Sequence, residues 1–145
     1  IVAYQSTSSN LVFADVNDEQ DVFVSRLVRG FNGGFRVQNT RRCAPPGVDP
    51  DGPSAHAAVS ADGRYVAFES TASNLDPNDA NGTSDIFVFD TLTNQVERVS
   101  LADDGSESTG DSILPAISAD GRFVAFVSDS SDLTPGDSNG LFDVF

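Results

Sequence analysis

The segment VSADGRYVAFESTASNL, Val59 to Leu75, returns as ISADGRFVAFVSDSSDL, Ile117 to Leu133, a displacement of 117 − 59 = 58 residues. A partial third copy opens the chain: VAYQSTSSNL from Val2 aligns with VAFESTASNL from Val66, a step of 66 − 2 = 64. A chain that repeats a unit of this size folds as a series of like supersecondary units, each burying its apolar surface against its neighbours. The longer first step predicts an insertion between Phe31 and Ser54, where the glycines and prolines of FNGGFRVQNTRRCAPPGVDPDGPS mark a loop tolerant of extra length.

Within the complete unit, turn signals separate four apolar runs. HAAVS (56–60) is predicted as a first strand, Ala61-Asp62-Gly63-Arg64 as a tight turn, YVAFES (65–70) as a second strand, DIFVFD (85–90) as a third and VERVSL (96–101) as a fourth. In the turn, glycine supplies positive φ and aspartate favours the bend. No stretch shows a helical period, so the chain reads as all-β. YVAF, FVAF and IFVF are apolar at consecutive positions, as expected of strands covered on both faces. Four antiparallel strands per repeat, buried on both faces, describe a β-propeller blade. The expected organisation is a single repeat region over 1–145, with a partial blade at 1–53, a whole one at 54–111 and a partial one at 112–145.

The residues S-A-D-G-R-Y-V-A-F-E-S followed by D-I-F-V-F-D resemble the WD40-like repeat of TolB-type propellers, whose blades read roughly S-P-D-G-K-x-I-A-F-x-S…I-Y-x-x-D. The resemblance covers nearly the whole chain. It implies blade architecture and says almost nothing about function, because such propellers serve many roles. Two departures stand out. The 58-residue step exceeds the roughly 40–45 residues of a usual WD40 blade. About two and a half blades also fall short of the roughly 4–8 that close a ring. The expectation is therefore an arc of a longer propeller, or a subunit whose ring is completed or replaced by other copies. The opening IVAYQSTSSN has neither Met nor a signal-peptide pattern, as expected of a processed protein or a piece of a longer one.

The loops between second and third strands carry the chemistry. They read DVNDEQDVF (15–23), DANGTSDIF (79–87) and DSNGLFDVF (137–145), sharing D-x-N-x-x-x-D. Asp15, Asp79 and Asp137 stand first, Asn17, Asn81 and Asn139 third, and Asp21, Asp85 and Asp143 seventh. Calcium takes 6–8 oxygens in flexible geometry, and such a loop curls its oxygens around an ion. Magnesium demands stricter octahedral geometry, and zinc would want His or Cys. The competing account is a plain turn, since Asn-Gly is the strongest hairpin dipeptide. It explains Asn81-Gly82 and Asn139-Gly140 but not the flanking aspartates, which repel without a cation. The expectation is structural calcium at these nine residues. The resemblance to bacterial propellers with G-D-x-N-G-x-x-D loops agrees with it.

A formal charge of −14, from 22 acidic and 8 basic residues, disfavours nucleic acid and anionic membranes as partners. No apolar run reaches the roughly 20 residues of a membrane span, so no membrane insertion is expected. One cysteine, Cys43, excludes an intrachain disulfide and a multi-cysteine zinc site, and leaves either a small packed side chain or a link between copies. The lone histidine, His56, aligns with Leu114 and has no G-x-S-x-G elbow beside it, so it reads as a loop-end residue. Nothing distinguishes Asp103-Asp104 as a catalytic pair. Asn81-Gly82-Thr83 is formally a glycosylation acceptor inside the proposed ion loop. The functional expectation is a non-catalytic module for binding or assembly, extracellular, at the cell surface or periplasmic. Its expected partners are other protein chains, itself included, and carbohydrate. A second reading is a subunit of an extracellular filament, and a third a hydrolase scaffold.

Overall fold

The two most apolar runs of the complete repeat become the central strands of a sheet. In the computed structural model, which describes residues 1–145, β5 (Tyr65–Ser70) and β6 (Asp85–Asp90) lie between β4 (Ser54–Val59) and β7 (Gln95–Arg98). The order is β4-β5-β6-β7 and every pairing is antiparallel. Val66, Ala67 and Phe68 are consecutive and all fully buried, as are Ile86 and Phe87, because a neighbouring sheet covers each face. On one side stand β1 (Val2–Ser6), β2 (Asp21–Arg29) and β3 (Phe35–Arg42) in the order β1-β2-β3. On the other stand β8 (Ser112–Ile117), β9 (Val124–Ser128) and β10 (Asp143–Val144), in the order β10-β9-β8. The chain is all-β, one whole propeller blade between two partial ones. No helix is long and apolar enough to cross a membrane.

The predicted second and third strands keep their bounds, whereas the first begins two residues earlier and the fourth ends at Arg98. The shift at the first strand has a local cause. Ser54 donates its Oγ to Ser70 at 2.9 Å and starts the ladder, while Ser60 belongs to the turn. There Ser60 Oγ donates to Asp62 at 2.6 Å and accepts from the Tyr65 N–H at 3.0 Å. The Ser60 hydroxyl, with the Arg64 N–H, holds the Asp62 carboxyl below its usual range.

The insertion falls at the N-terminal end of the predicted interval and reaches back before Phe31, while the proline-rich part of that interval carries none of it. Register places Phe23 opposite Arg42 and Phe87 opposite Arg98, so Arg42 and Arg98 correspond. The first hairpin then spans 42 − 21 = 21 residues against 98 − 85 = 13 in the second, a surplus of eight. The extra length extends β2 and β3 into a longer ladder, because LVR and FRV are as fit for strand as the turn between them is for bending. The segment from Arg42 to Ser54 is slightly shorter than its counterpart.

Two separate apolar clusters join the sheets. Val22, Val24, Cys43, Val66, Phe68, Phe87 and Phe89 form the larger, between the first and second sheets. Ile86, Phe126 and Leu133 form the smaller, between the second and third, with Val99, Val124 and Phe145 at its margin. One aromatic pair recurs in each sheet: Tyr4–Phe23, Phe68–Phe87 and Phe126–Phe145 stack with ring centroids 5.9–6.0 Å apart at 27°. Burying a side chain of this size contributes about 1.5–3 kcal/mol. Cys43 is 2% exposed within the larger cluster, and burial pushes its thiol pKa far up, so it is packing material that cannot reach another copy.

The turn glycines serve two purposes. Gly63 and Gly121 have φ of 74° and 71°. A Cβ on Gly63 would also stand 2.5 Å from Ile1 Cγ1, and one on Gly121 would collide with the Tyr65 ring. Since Ile1 and Tyr65 are equivalent, each turn seats the residue at the head of the matching strand in the preceding sheet, Ile1 just before β1 and Tyr65 at the start of β5. The Ala61 N–H bonding the Ala119 carbonyl at 3.0 Å ties two such turns together.

Candidate functional site

Each D-x-N-x-x-x-D loop is first organised by its own backbone. Asn81 Oδ1 accepts the Thr83 N–H at 2.9 Å, and Asp76 Oδ1 accepts the Asn78 N–H at 2.9 Å. The same Asx geometry appears at Asn17 with Glu19 (3.1 Å) and at Asn139 with Leu141 (2.7 Å). With its oxygen so committed, each asparagine turns its amide nitrogen to the seventh-position aspartate. Asn17 reaches Asp21 at 3.3 Å, Asn81 reaches Asp85 at 3.0 Å and Asn139 reaches Asp143 at 2.8 Å. The asparagines therefore act as donors to the carboxylates. Asn81 Nδ2 also bonds the Ser108 carbonyl at 3.0 Å, which engages the atom a sugar would need.

In two loops an arginine stands among the acids. Arg98, with a side chain 2% exposed, places Nη1 2.6 Å from Glu107, 3.3 Å from Asp85 and 3.6 Å from Asp79, and Nε 3.3 Å from Asp76. Its Nη2 donates to the Asn78 carbonyl at 3.2 Å. Asp85 is fully buried and accepts the Ser100 hydroxyl at 2.5 Å through its other oxygen. In the first loop Arg42 pairs with Asp49, with Asp21 at 3.1 Å and with Asp15 at 3.3 Å. Both arginines come from the last strand of their sheet, opposite the buried phenylalanine of the strand before. The third loop holds Asp137 and Asp143 half-buried and unpaired with any arginine.

The sequence pattern thus finds six carboxylates and three asparagines, and the fold brings them together loop by loop. It misses Asp49, Glu107, Asp76, Arg42 and Arg98. Asp49 and Glu107 come from the segments linking sheets and complete two groups of three, Asp15-Asp21-Asp49 and Asp79-Asp85-Glu107, whose oxygens lie within 4.8 Å of one another. Asp49 and Glu107 differ in residue type and in distance from their loops, so no motif announces them. The arginines left a faint signal, an arginine closing the last strand of the sheet in both repeats, Arg42 in β3 and Arg98 in β7.

The charges do not balance. Around Arg98 four carboxylates face one guanidinium, a formal 1 − 4 = −3, and around Arg42 three face one, 1 − 3 = −2. Asp79 is pushed up to about 6, first by burial and then by the neighbouring Asp85. Asp21 is raised too, burial outweighing its bonds to Arg42 and Asn17. Glu107 goes the other way: burial would raise it, but the Ala80 N–H and Arg98 outweigh this and hold it below its usual value.

Carboxylate oxygens within 4.8 Å of one another have the spacing of ligands around a hard metal ion, since ligands at 2.3–2.6 Å from one centre lie within about 5 Å of each other. Asp21 Oδ1 adds to the fit, being buried without a hydrogen-bond partner. The asparagine oxygens do not, because backbone N–H groups occupy them. Any ion would share the carboxylates with the arginine.

The remaining candidates are tied down. His56 lies on a bulge of β4 with φ of 51°, and Leu114 repeats it in β8 at 53°. The His56 N–H donates to Gln5 and the Leu114 N–H to Glu69, so the position is a joint between sheets, while the imidazole Nδ1 sits 2.7 Å from Glu69. An open cleft of about 360 Å³ beside the first loop is lined by Phe13, Arg41, Arg42, Pro45, Pro46 and Phe89, among others. Its two arginines are engaged, Arg41 by the Thr91 carbonyl and Asn94.

No protein-family model matches the chain, and no curated protein does. Among solved structures, the crystal structure of TolB from Acinetobacter baumannii is similar at a TM-score of 0.38 and 21% identity, over 86% of this chain and 26% of that one. The chain thus spans about a quarter of that protein's length.

Proposed function

We propose that this chain is a non-catalytic propeller module that binds other protein chains outside the cytoplasm, with its acidic loops acting as structural fasteners that take calcium. The observation that carries the reading is the position of Arg98. The densest groups of carboxylates lie inside the joints of the fold, closed by arginine and by serine and asparagine donors, where they tie a loop to a strand and to the following linker. Groups placed so hold a surface in shape, and the surface is left to do the binding.

Calcium adds to this by offsetting the residual negative charge. It stabilises the folded state by mass action, about 2.7 kcal/mol at about 100 times Kd. For a domain of this size that is a rise in melting temperature of about 10 °C. The test is thermal unfolding with millimolar calcium and with chelator, for the wild type and Asp79→Asn. Calcium should raise the wild-type midpoint and move the variant much less. Equal midpoints in calcium and chelator for the wild type would remove the ion from the proposal.

A further inference from the structure

Charge is distributed unevenly along this chain. Between Val22 and Val48 there is no acidic residue, yet five of the eight basic residues fall there: Arg26, Arg29, Arg36, Arg41 and Arg42. The rest carries all 22 acidic residues and three arginines, a formal 3 − 22 = −19. The basic stretch is the β2–β3 hairpin with its base. Arg41 and Arg42 are held at that base, as described. Arg26, Arg29 and Arg36 are exposed and take part in none of the ion pairs.

The hairpin also exposes three large apolar side chains. Every residue from Phe31 to Asn39 is exposed, Phe31 completely, Phe35 to 68% and Val37 to 58%. Register pairs Arg29 with Phe35 and Leu27 with Val37, and the Arg29 guanidinium lies 5.3 Å from the centre of the Phe35 ring. One face of the hairpin therefore offers a planar cation, an aromatic ring and aliphatic surface together, and the opposite face adds Arg26 and Arg36, the latter paired with Val28. Apolar surface concentrated on a projecting element marks an interaction site. The eight surplus residues add about four to each strand, and at about 3.3 Å per residue they carry the tip about 13 Å beyond the corresponding point of the second hairpin.

We propose that this hairpin is an arm that docks on the acidic body of a second copy of the chain, a contact that rests on the binding-module reading and supplies its partner. The occupant follows from charge complementarity: the arm is wholly basic and the body is −19. Arginine forms paired hydrogen bonds with carboxylates, and Phe31, Phe35 and Val37 lose water in the same contact. The reach of the arm exceeds the Debye length of about 8 Å at physiological salt, so the like charges of the two bodies stay largely screened while the arm's own contacts form at short range. Arm and body are different surfaces, so the contact is heterologous and leaves each copy with an arm or a body free for the next.

Light scattering of the native chain across a concentration series tests this, in low salt and in about 0.5 M salt, where the Debye length falls to about 4 Å. The expected result is a mass that climbs with concentration in low salt and returns to one chain in high salt. Arg29→Glu with Arg36→Glu should weaken association by about tenfold or more, and an unchanged melting temperature should show that the exposed changes leave the fold intact. A single-chain mass at every concentration, or association indifferent to the two reversals, overturns the arm. Vesicles of phosphatidylglycerol and a single-stranded oligonucleotide serve as alternative probes. Capture of either through Arg29 and Arg36 by a chain that stays single also overturns docking on a copy. The melting test of the calcium fasteners does not involve the arm, so a single-chain mass with calcium-dependent stability sinks the arm and leaves the module.

Discussion

Replacing Arg98 by methionine removes one buried charge and keeps most of the apolar stem. In the folded protein that charge has four carboxylate partners between 2.6 and 3.6 Å, and its side chain is 2% exposed. Taking away one member of a buried ionic group strands the others, at a cost of about 3–5 kcal/mol. At this chain length the loss lowers the melting temperature by about 10–20 °C. Equilibrium urea unfolding at pH 7.5 reads the free energy directly, and the slope of the transition shows whether two-state behaviour is kept. A second substitution locates the effect. Glu107→Gln should cost less in the Arg98→Met background than in the wild type, with a coupling of about 1–3 kcal/mol, because the bond at 2.6 Å has already gone. Part of the loss should also return at pH 5, where Asp79, with a pKa of about 6, takes up a proton and relieves the repulsion. A loss below about 1 kcal/mol, the range of exposed pairs, would refute the account of Arg98 as a closed internal clasp.

Asp79 also sets a pH dependence in the wild type. Its folded pKa of about 6 lies above the ordinary 3.8, so between these values the folded state holds a proton the unfolded state has lost. Stability contributed by that proton is present below about pH 4 and disappears as pH rises through 6; melting temperatures should therefore be higher at pH 5 than at pH 7.5, and Asp79→Asn should flatten the difference. A wild type that melts lower at pH 5 would count against it. At Gly121, alanine should cost about 1–3 kcal/mol, since φ is 71° and the new Cβ meets Tyr65. Gly82→Ala, at φ 69° with nothing within 4 Å, should cost only the conformational part, and equal losses at the two sites would remove the close approach as a reason for glycine.

The strands were readable because their signal is local: YVAFES and DIFVFD are apolar at consecutive positions and become β5 and β6 with the predicted bounds. The D-x-N-x-x-x-D loops were readable for the same reason, as their Asx turns join residues two apart. Arg98 was not, because what matters about it is a set of partners up to 22 positions away, chosen by sheet register and not by spacing. The bounds of the insertion were legible only coarsely, on similar grounds. Glycine and proline announce a bend, whereas β2 and β3 simply continue a ladder already begun, and only the correspondence of Phe23–Arg42 with Phe87–Arg98 shows where the length was added.

The two apolar clusters lie on opposite sides of the middle sheet and share no residue. Under tension applied at the two termini, such a molecule is loaded as links in series: each joint carries the whole force and none shields another. The weaker link is the one around Ile86, Phe126 and Leu133, with the smaller cluster, so the third sheet should peel away while the first two still hold. Extension would then proceed in steps, each releasing about one repeat of chain.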